Sequence, residues 1–259
     1  IRNLCVLAHV DHGKTTLVDS LISYNNIISP KMAGDVRYMD SRLDEQERKI
    51  TMKASSISVV YHSEKLNNNY LLNIIDVPGH VDFSYEIFSS MKMVDGALIL
   101  IDVIEGICSQ TENVIRKAWD EKIKYVLVFN KIDKLFTIVE MSPEDAYEHL
   151  KNLLEKVNAM MSSLILRDME IQNLLNNEKK ITNEEDNFYF SPNKGNVIFA
   201  SATDNWTFPI DTFVDIFVKK YGSKKEVMQR VLWGDFYFDK KSKKFVANPP
   251  NDTSNPVFV

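Results

Sequence analysis

An unbroken apolar run, Leu4 to Ala8, leads into His9-Val10-Asp11-His12-Gly13-Lys14-Thr15-Thr16. A stretch carrying Leu17, Val18, Leu21 and Ile22 at helical spacing follows. Nothing else in the chain restricts its fold so tightly. A continuous apolar run suits a strand buried on both faces. The residues after it describe a strand that ends, a tight turn at Gly13, and a helix that begins at once. In that layout backbone N–H groups converge on the partial positive charge of a helix N-terminus, which is a place for a phosphate group. Lys14 adds a full charge, and the Thr15 hydroxyl is of the type that ligates magnesium. The pattern is a phosphate-binding loop with Ala8 in place of its usual first glycine.

The rest of the chain supplies a matching scaffold. Ile57–Tyr61 and Tyr70–Ile75 read as strands, with the turn signal Asn67-Asn68-Asn69 between them. Ala97–Ile101 and Tyr125–Phe129 read as strands around a helix over Gln110–Trp119. The strand signal returns at Asn196–Ala200, with a helix after it at Ile210–Lys220. Alternation of this kind predicts an α/β chain with the P-loop NTPase fold: a mostly parallel sheet, helices on both faces, and a mainly helical insertion. The segment from Ser29 to Thr51 has little periodicity and is expected to be a long loop. Ser142-Pro143-Glu144-Asp145 is a helix start. Tyr147, Leu150, Leu154, Val157, Met161 and Leu164 then mark one apolar face. Residues 173–187 are polar and are expected to be flexible. The expected organisation is therefore 1–137 as the first part of the domain, 138–194 as a helical and flexible insertion, and 195–259 as the last part with a linker. The chain opens at Ile1 without a methionine and closes on Pro256-Val257-Phe258-Val259, which resembles the start of another strand. It is expected to belong to a longer protein.

Further motifs stand at strand ends. Asp76-Val77-Pro78-Gly79-His80 follows a strand, so Asp76 falls in the crevice where ligands bind in open α/β sheets. There it can hold magnesium through water, and the Gly79 N–H can approach a terminal phosphate. Asn130-Lys131-Ile132-Asp133 follows another strand. A fixed carboxylate at Asp133 accepts from both N1–H and the exocyclic amine of guanine, a donor pair that adenine lacks. Ser201-Ala202-Thr203 follows the last strand and suits a loop closing over guanine O6. Thr51, after the long loop, can complete a magnesium shell when a γ-phosphate is present. His9 and His12 are expected to point apart, and no metal site is expected there. His62 and His149 read as surface residues.

Composition narrows the classes. The chain has 259 residues, 44% of them hydrophobic, enough for one large core or a core plus a modest appendage, and a net charge of −5. An acidic balance disfavours a broad basic face and hence DNA binding. No apolar run reaches membrane-spanning length, and no signal peptide is legible. Cys5 and Cys108, without ligand spacing, suit a reducing compartment.

Together these segments resemble the translational GTPases, in the branch that holds eukaryotic elongation factor two and its elongation-factor-like cousins. The resemblance rests on Ile1-Arg2-Asn3, Ala8–Thr16, Asp44–Arg48, Ile50–Lys53, Asp76–Phe83, Asp95-Gly96-Ala97, Gln110-Thr111-Glu112, Asn130–Asp133 and Leu232-Trp233-Gly234-Asp235. Arg37-Tyr38-Met39-Asp40-Ser41-Arg42 and Ser201-Ala202 are closer to the cousins than to the translocase. Lys49 stands where a small residue is usual, and Asn205 stands where Gly precedes Trp206, so a left-handed Asn is expected there.

The resemblance implies a GTP hydrolase with GTP and GDP as substrate and product and magnesium as cofactor. Asp11, His12, Gly13, Lys14, Thr15, Thr16, Asn130, Lys131, Asp133, Ser201, Ala202 and Thr203 would bind nucleotide. Thr15, Thr51 and Asp76 would hold the metal. His80, Lys14, Thr51 and Gly79 would carry the hydrolysis, with His80 orienting water once the ribosome repositions it. Val10 and Ile50 would form an apolar gate, and Asp11 would help hold a monovalent cation or position His80. No arginine finger is legible. The role implied is cytoplasmic maturation of the large (60S) ribosomal subunit by a monomeric protein. Its implied partners are the subunit, through ribosomal RNA near the GTP site, the protein mutated in Shwachman–Diamond syndrome, and the anti-association initiation factor that it evicts. The alternatives are translocation by elongation factor two, a module that binds nucleotide without hydrolysis, and an ATPase, which Asp133 disfavours.

Overall fold

The computed structural model describes residues 1–176 apart from positions 33, 35 and 65, residues 188–234 apart from 223, and residues 236–239 and 244–246. The leading apolar run is β1 (Arg2–Ala8), and the phosphate loop delivers the chain into α1 (Lys14–Tyr24). After α2 (Leu43–Arg48) come β2 (Ser55–Ser63), β3 (Asn68–Asp76), α3 (Ser84–Met91), β4 (Gly96–Asp102) and α4 (Ser109–Asp120). Then follow β5 (Lys124–Asn130), α5 (Ile132–Thr137), α6 (Pro143–Asn176), β6 (Val197–Ser201), β7 (Trp206–Phe208), α7 (Ile210–Tyr221) and α8 (Lys225–Leu232). A small hairpin, β8 (Tyr237–Asp239) with β9 (Lys244–Val246), comes last.

Seven strands form one sheet in the order β2-β3-β1-β4-β5-β6-β7. The inner pairs β1–β3, β1–β4, β4–β5 and β5–β6 are parallel. The outer pairs β2–β3 and β6–β7 are antiparallel, because only a few residues join their strands and a parallel return needs a crossover. β1 lies between β3 and β4, so connections leave it in opposite directions and a crevice opens at its carboxyl end.

Alternation along the inner strands divides the core. Val6, Ala8, Leu100, Val128 and Ala200 pack with Leu17, Val18 and Ile22 of α1. Cys5, Leu7, Ile99, Ile101, Leu127, Phe129 and Phe199 join the larger cluster with α3, α4 and α6. Burial pushes the Cys5 thiol up to about 12, which suits an inert core residue.

Two segments differ from the sequence expectation. The stretch between Ser29 and Thr51 is not simply a loop: it holds a 3-10 turn at Pro30–Met32 and α2. The Glu45 carboxylate, 2% exposed, accepts from the backbone N–H of Arg42, Met52 and Lys53. A buried acid satisfied from both sides of a turn has no signature in local periodicity. The expected helix from Ser142 is capped as read, with Asp145 N–H donating to Ser142 Oγ, but it runs 34 residues to Asn176. Its apolar face belongs to the larger core cluster, and Trp119 Nε1–H of α4 donates to Asp168 at 2.8 Å. The polar stretch expected at 173–187 is helical to Asn176 and beyond that lies outside the described residues. The proposed linker at the chain's end lies mostly outside them too. Asn205 has the expected left-handed backbone, with φ 58°. Among the described residues, no helix is long and apolar enough to cross a membrane.

Candidate functional site

The crevice at the carboxyl ends of β1 and β3 gathers residues distant in sequence. Gly13 has φ +90°, a left-handed conformation, and a Cβ there would meet Asn130 Nδ2 at 2.3 Å. The position therefore demands glycine twice, by backbone and by space. Lys14, 6% exposed, turns into the crevice from the first residue of α1. Its Nζ donates to the Asp76 carboxylate at 2.5 Å, and lies 3.5 Å from Thr15 Oγ1 and 3.4 Å from Thr51 Oγ1. The two threonine hydroxyls are 3.3 Å apart, and Thr15 Oγ1 is 3.5 Å from Asp76. Burial pushes the Asp76 carboxyl above its ordinary value, against the pull of Lys14. Two hydroxyls and a carboxylate at these separations form a hard-oxygen donor set that fits magnesium.

Asp40 joins this group and has no place in the sequence expectation as a site residue. It is 1% exposed, accepts from Thr51 Oγ1 at 2.9 Å and from Arg37 Nε at 2.5 Å, and fixes Thr51 against Thr15. Asp19 of α1 is a second missed anchor: its carboxylate accepts from the Tyr38 N–H at 3.0 Å. Burial raises that carboxyl, while the N–H groups of Tyr38, Gly34 and Arg37 oppose the shift. The chain offers only acidic residues at 19 and 40, and nothing local shows that folding buries them.

Gly79 closes the crevice from the β3 side. A Cβ there would lie 3.1 Å from Ala8 O and 3.2 Å from Val10 N, so the loop packs directly on the phosphate-loop backbone. Val10 and Ile50, the expected gate, both line the cavity, as do Asp11, Thr16, Arg37 and Lys49. His80 does not line it. Its Nδ1 accepts from the Asp82 N–H at 3.2 Å, capping the turn over Val81–Phe83, and its side chain is 41% exposed.

On the far side of the phosphate loop, Asn130 is a clamp. Its Nδ2 donates to His12 O at 2.9 Å and its Oδ1 accepts from the Ala202 N–H at 3.0 Å. One side chain thus ties three loops together. Lys131, with φ +65°, reaches back so that its Nζ donates to Asp11 O and pairs with Asp102, both at 2.5 Å. Burial works to raise the Asp102 carboxyl, but Lys131 and the Ile104 N–H outweigh it and hold the group below its ordinary value. Asp133, half-buried in the first turn of α5, makes no side-chain hydrogen bond or ion pair among the described residues. Ser201 is buried and hydrogen-bonded to Asp204, Ala202 O accepts from Ser20, and Thr203 is exposed.

The histidine expectations need correction. His9 and His12 do not point apart, since their rings meet edge to face at 5.3 Å. The His12 side chain does not face the cavity either: it is fully buried, and only its backbone can serve a nucleotide. Its Nδ1 accepts from the Asp102 N–H at 3.3 Å, and its Nε2 stands 3.2 Å from Glu105 and 3.6 Å from Cys108. Cys108 thus has neighbours of metal-ligating type that sequence spacing does not show. Nδ1 also stands 3.5 Å from Leu100 O, so both ring nitrogens have polar partners and the imidazole is a hydrogen-bonded post beneath the loop. Burial keeps the imidazole below its ordinary pKa, against the opposing pull of Leu100 O, Glu105 and Asp102. His149 is not an ordinary surface residue, because its Nε2 donates to Val103 O at 2.6 Å.

Comparison with known proteins agrees with this geometry. The elongation factor Tu GTP binding domain family matches residues 1–228. Elongation factor-like GTPase 1 of Homo sapiens is 48% identical over 278 residues, covering all of this chain and 25% of the relative. Ribosome assembly protein 1 of Saccharomyces cerevisiae is 44% identical over 264 residues, covering 96% of this chain and 24% of the relative. The protein of the same name in Schizosaccharomyces pombe is 47% identical over 250 residues, with 94% and 25% covered. The chain spans about a quarter of the length of these curated relatives.

Proposed function

The chain belongs to the elongation factor Tu family of GTP-binding domains and is a GTPase domain of the translation-factor type, and from that premise we propose that the protein carrying it acts in ribosome assembly. The specific reading is cytoplasmic maturation of the large (60S) subunit, in which GTP hydrolysis drives release of the anti-association initiation factor. The protein mutated in Shwachman–Diamond syndrome would be the second partner, and the chain would act as a monomer. The names of the relatives, elongation factor-like and ribosome assembly proteins, favour this role over translocation.

The observation that carries the enzymatic reading is the convergence of Lys14, Thr15, Thr51 and Asp76 within hydrogen-bond range of one another. Magnesium, held by Thr15 and Thr51 and through Asp76, would neutralise charge on the β- and γ-phosphate oxygens. Lys14 and the N–H groups from Gly13 to Thr16 grip the phosphates at the start of α1. The Gly79 N–H, held against the phosphate loop, donates toward the terminal phosphate. Asp133 chooses guanine, with Asn130 holding its loop to those of His12 and Ala202. Val10 and Ile50 exclude bulk water. His80 must leave the Val81–Phe83 turn to orient the attacking water, which makes hydrolysis conditional on an outside trigger. Asp11 is the residue suited to a positive charge beside the phosphates, a monovalent cation where no side chain supplies it.

The test is multiple-turnover GTP hydrolysis by the full-length protein, with and without large subunits carrying the anti-association factor. Stimulated hydrolysis together with release of the factor supports the role. Stimulation by translating ribosomes alone would favour translocation instead.

A further inference from the structure

Lys49 is the residue whose placement the common mechanism leaves unused. It ends α2 in the left-handed conformation, with φ 56° and ψ 33°, and its N–H donates to Glu45 O. A helix end of this shape favours glycine, and a lysine there is strained. It directly precedes Ile50-Thr51, and it lines the same cavity as Asp11, Lys14 and Gly79. The other cations of that cavity are engaged: Lys14 is paired with Asp76 and Arg37 with Asp40. Lys49 has no carboxylate partner among the described residues and is exposed. A strained residue at a cavity edge, carrying an uncommitted charge on a flexible four-carbon stem, suits a polyanionic ligand.

We propose that Lys49 is a phosphate-contacting cation supplied in cis, whose ammonium meets the terminal phosphate and takes the place beside Asp11 that a free monovalent cation would otherwise fill. This rests on the GTPase reading above. An ammonium and a potassium ion are alike in charge and similar in size, and Asp11 and Lys49 line one cavity. In the reaction, water's oxygen forms the new bond to the γ-phosphorus and its proton passes to an oxygen of the phosphate so released. The bond to the β–γ bridging oxygen breaks, and its electron pair leaves on GDP. Lys49 keeps its proton throughout and spreads the charge gathering on the phosphate oxygens.

Three variants of the full-length protein test this: Lys49→Met, Lys49→Arg and Lys49→Gly. Calorimetry reads the affinity for GDP and for a non-hydrolysable GTP analogue, both with magnesium. Single-turnover hydrolysis is read in potassium, sodium and tetramethylammonium salts. The expected result for Lys49→Met is unchanged GDP affinity, an analogue affinity lower by about tenfold, and hydrolysis that becomes dependent on potassium. The wild-type protein should be indifferent to the salt cation, and Lys49→Arg should keep the analogue affinity. Lys49→Gly should lose the same phosphate preference while melting at a higher temperature, which separates charge from backbone strain. Equal GTP-analogue to GDP ratios in wild type, Lys49→Met and Lys49→Gly overturn the proposal and leave the GTPase reading intact. Failure of the wild-type protein to bind GDP at all overturns both.

Discussion

At the scale of single residues, the site is built from side chains that fix backbones. Asn130 ties three loops together, Asp40 holds Thr51, and Glu45 gathers the N–H groups of Arg42, Met52 and Lys53. Asp133 differs from these in that its carboxylate has no side-chain partner among the described residues, as the proposed base-reading role requires. Replacing Asp133 by Asn should lower GTP affinity by on the order of a hundredfold or more and admit xanthosine triphosphate, since a site built around a donor pair rejects its absence strongly. Competition binding with the two nucleotides measures this, and an unchanged preference would remove Asp133 from base selection. Asp102 permits a prediction about pH. Its native carboxyl is held below its ordinary value by Lys131 and the Ile104 N–H despite burial. A depressed native pKa adds stability that is present above the unfolded value near 4 and is lost as pH falls through the native value. Asp102→Asn should therefore cost about 1–3 kcal/mol at pH 7. The gap from wild type should shrink as denaturation curves are moved below about pH 4. A constant gap across that range would show that the ionised carboxylate is not the source.

At the scale of elements, α6 decides how the sheet is covered. Its apolar face was legible as a periodicity, and in the structure that face joins the larger core rather than forming a separate body. Met161 is 1% exposed, and Tyr125 O–H of β5 reaches its sulfur at 3.3 Å. Leu166, on the same helix, is 58% exposed. Met161→Ala should cost about 2–5 kcal/mol, whereas Leu166→Ala should stay within about 0.5 kcal/mol. Urea unfolding of the two variants makes the comparison, and equal losses would mean that α6 does not pack on the sheet by this face. α2 is the contrasting element. It is six residues long, too short to persist by propensity, and it depends on the Glu45 contacts and the left-handed Lys49 that ends it.

At the scale of the whole molecule, ligand and fold are linked, because the site joins β1, β3, β5 and β6 through their loops. GDP with magnesium at about a hundred times its dissociation constant should add about 2.7 kcal/mol of stability. For a domain of this size that corresponds to a rise in melting temperature of about 5–10 °C. A thermal scan with GDP and magnesium, repeated after chelation, checks it; no shift in the presence of both would argue against a site of this kind. The order of motifs along the chain was sufficient to identify the parallel sheet and the phosphate loop, since an apolar run, a glycine turn and a helix start are local facts written in neighbouring residues. The place of the proposed base-reading loop was legible for the same reason: Asn130 to Asp133 follow a strand whose pattern is local. Asp40, Asp19, Glu45 and the His12 post were not legible. Their meaning is burial, and an acid or a histidine acquires it only when distant segments close over it and satisfy its hydrogen bonds. Nor could the sequence place Lys49 in the cavity wall, because a residue's neighbours across a crevice are set by how the chain folds back on itself.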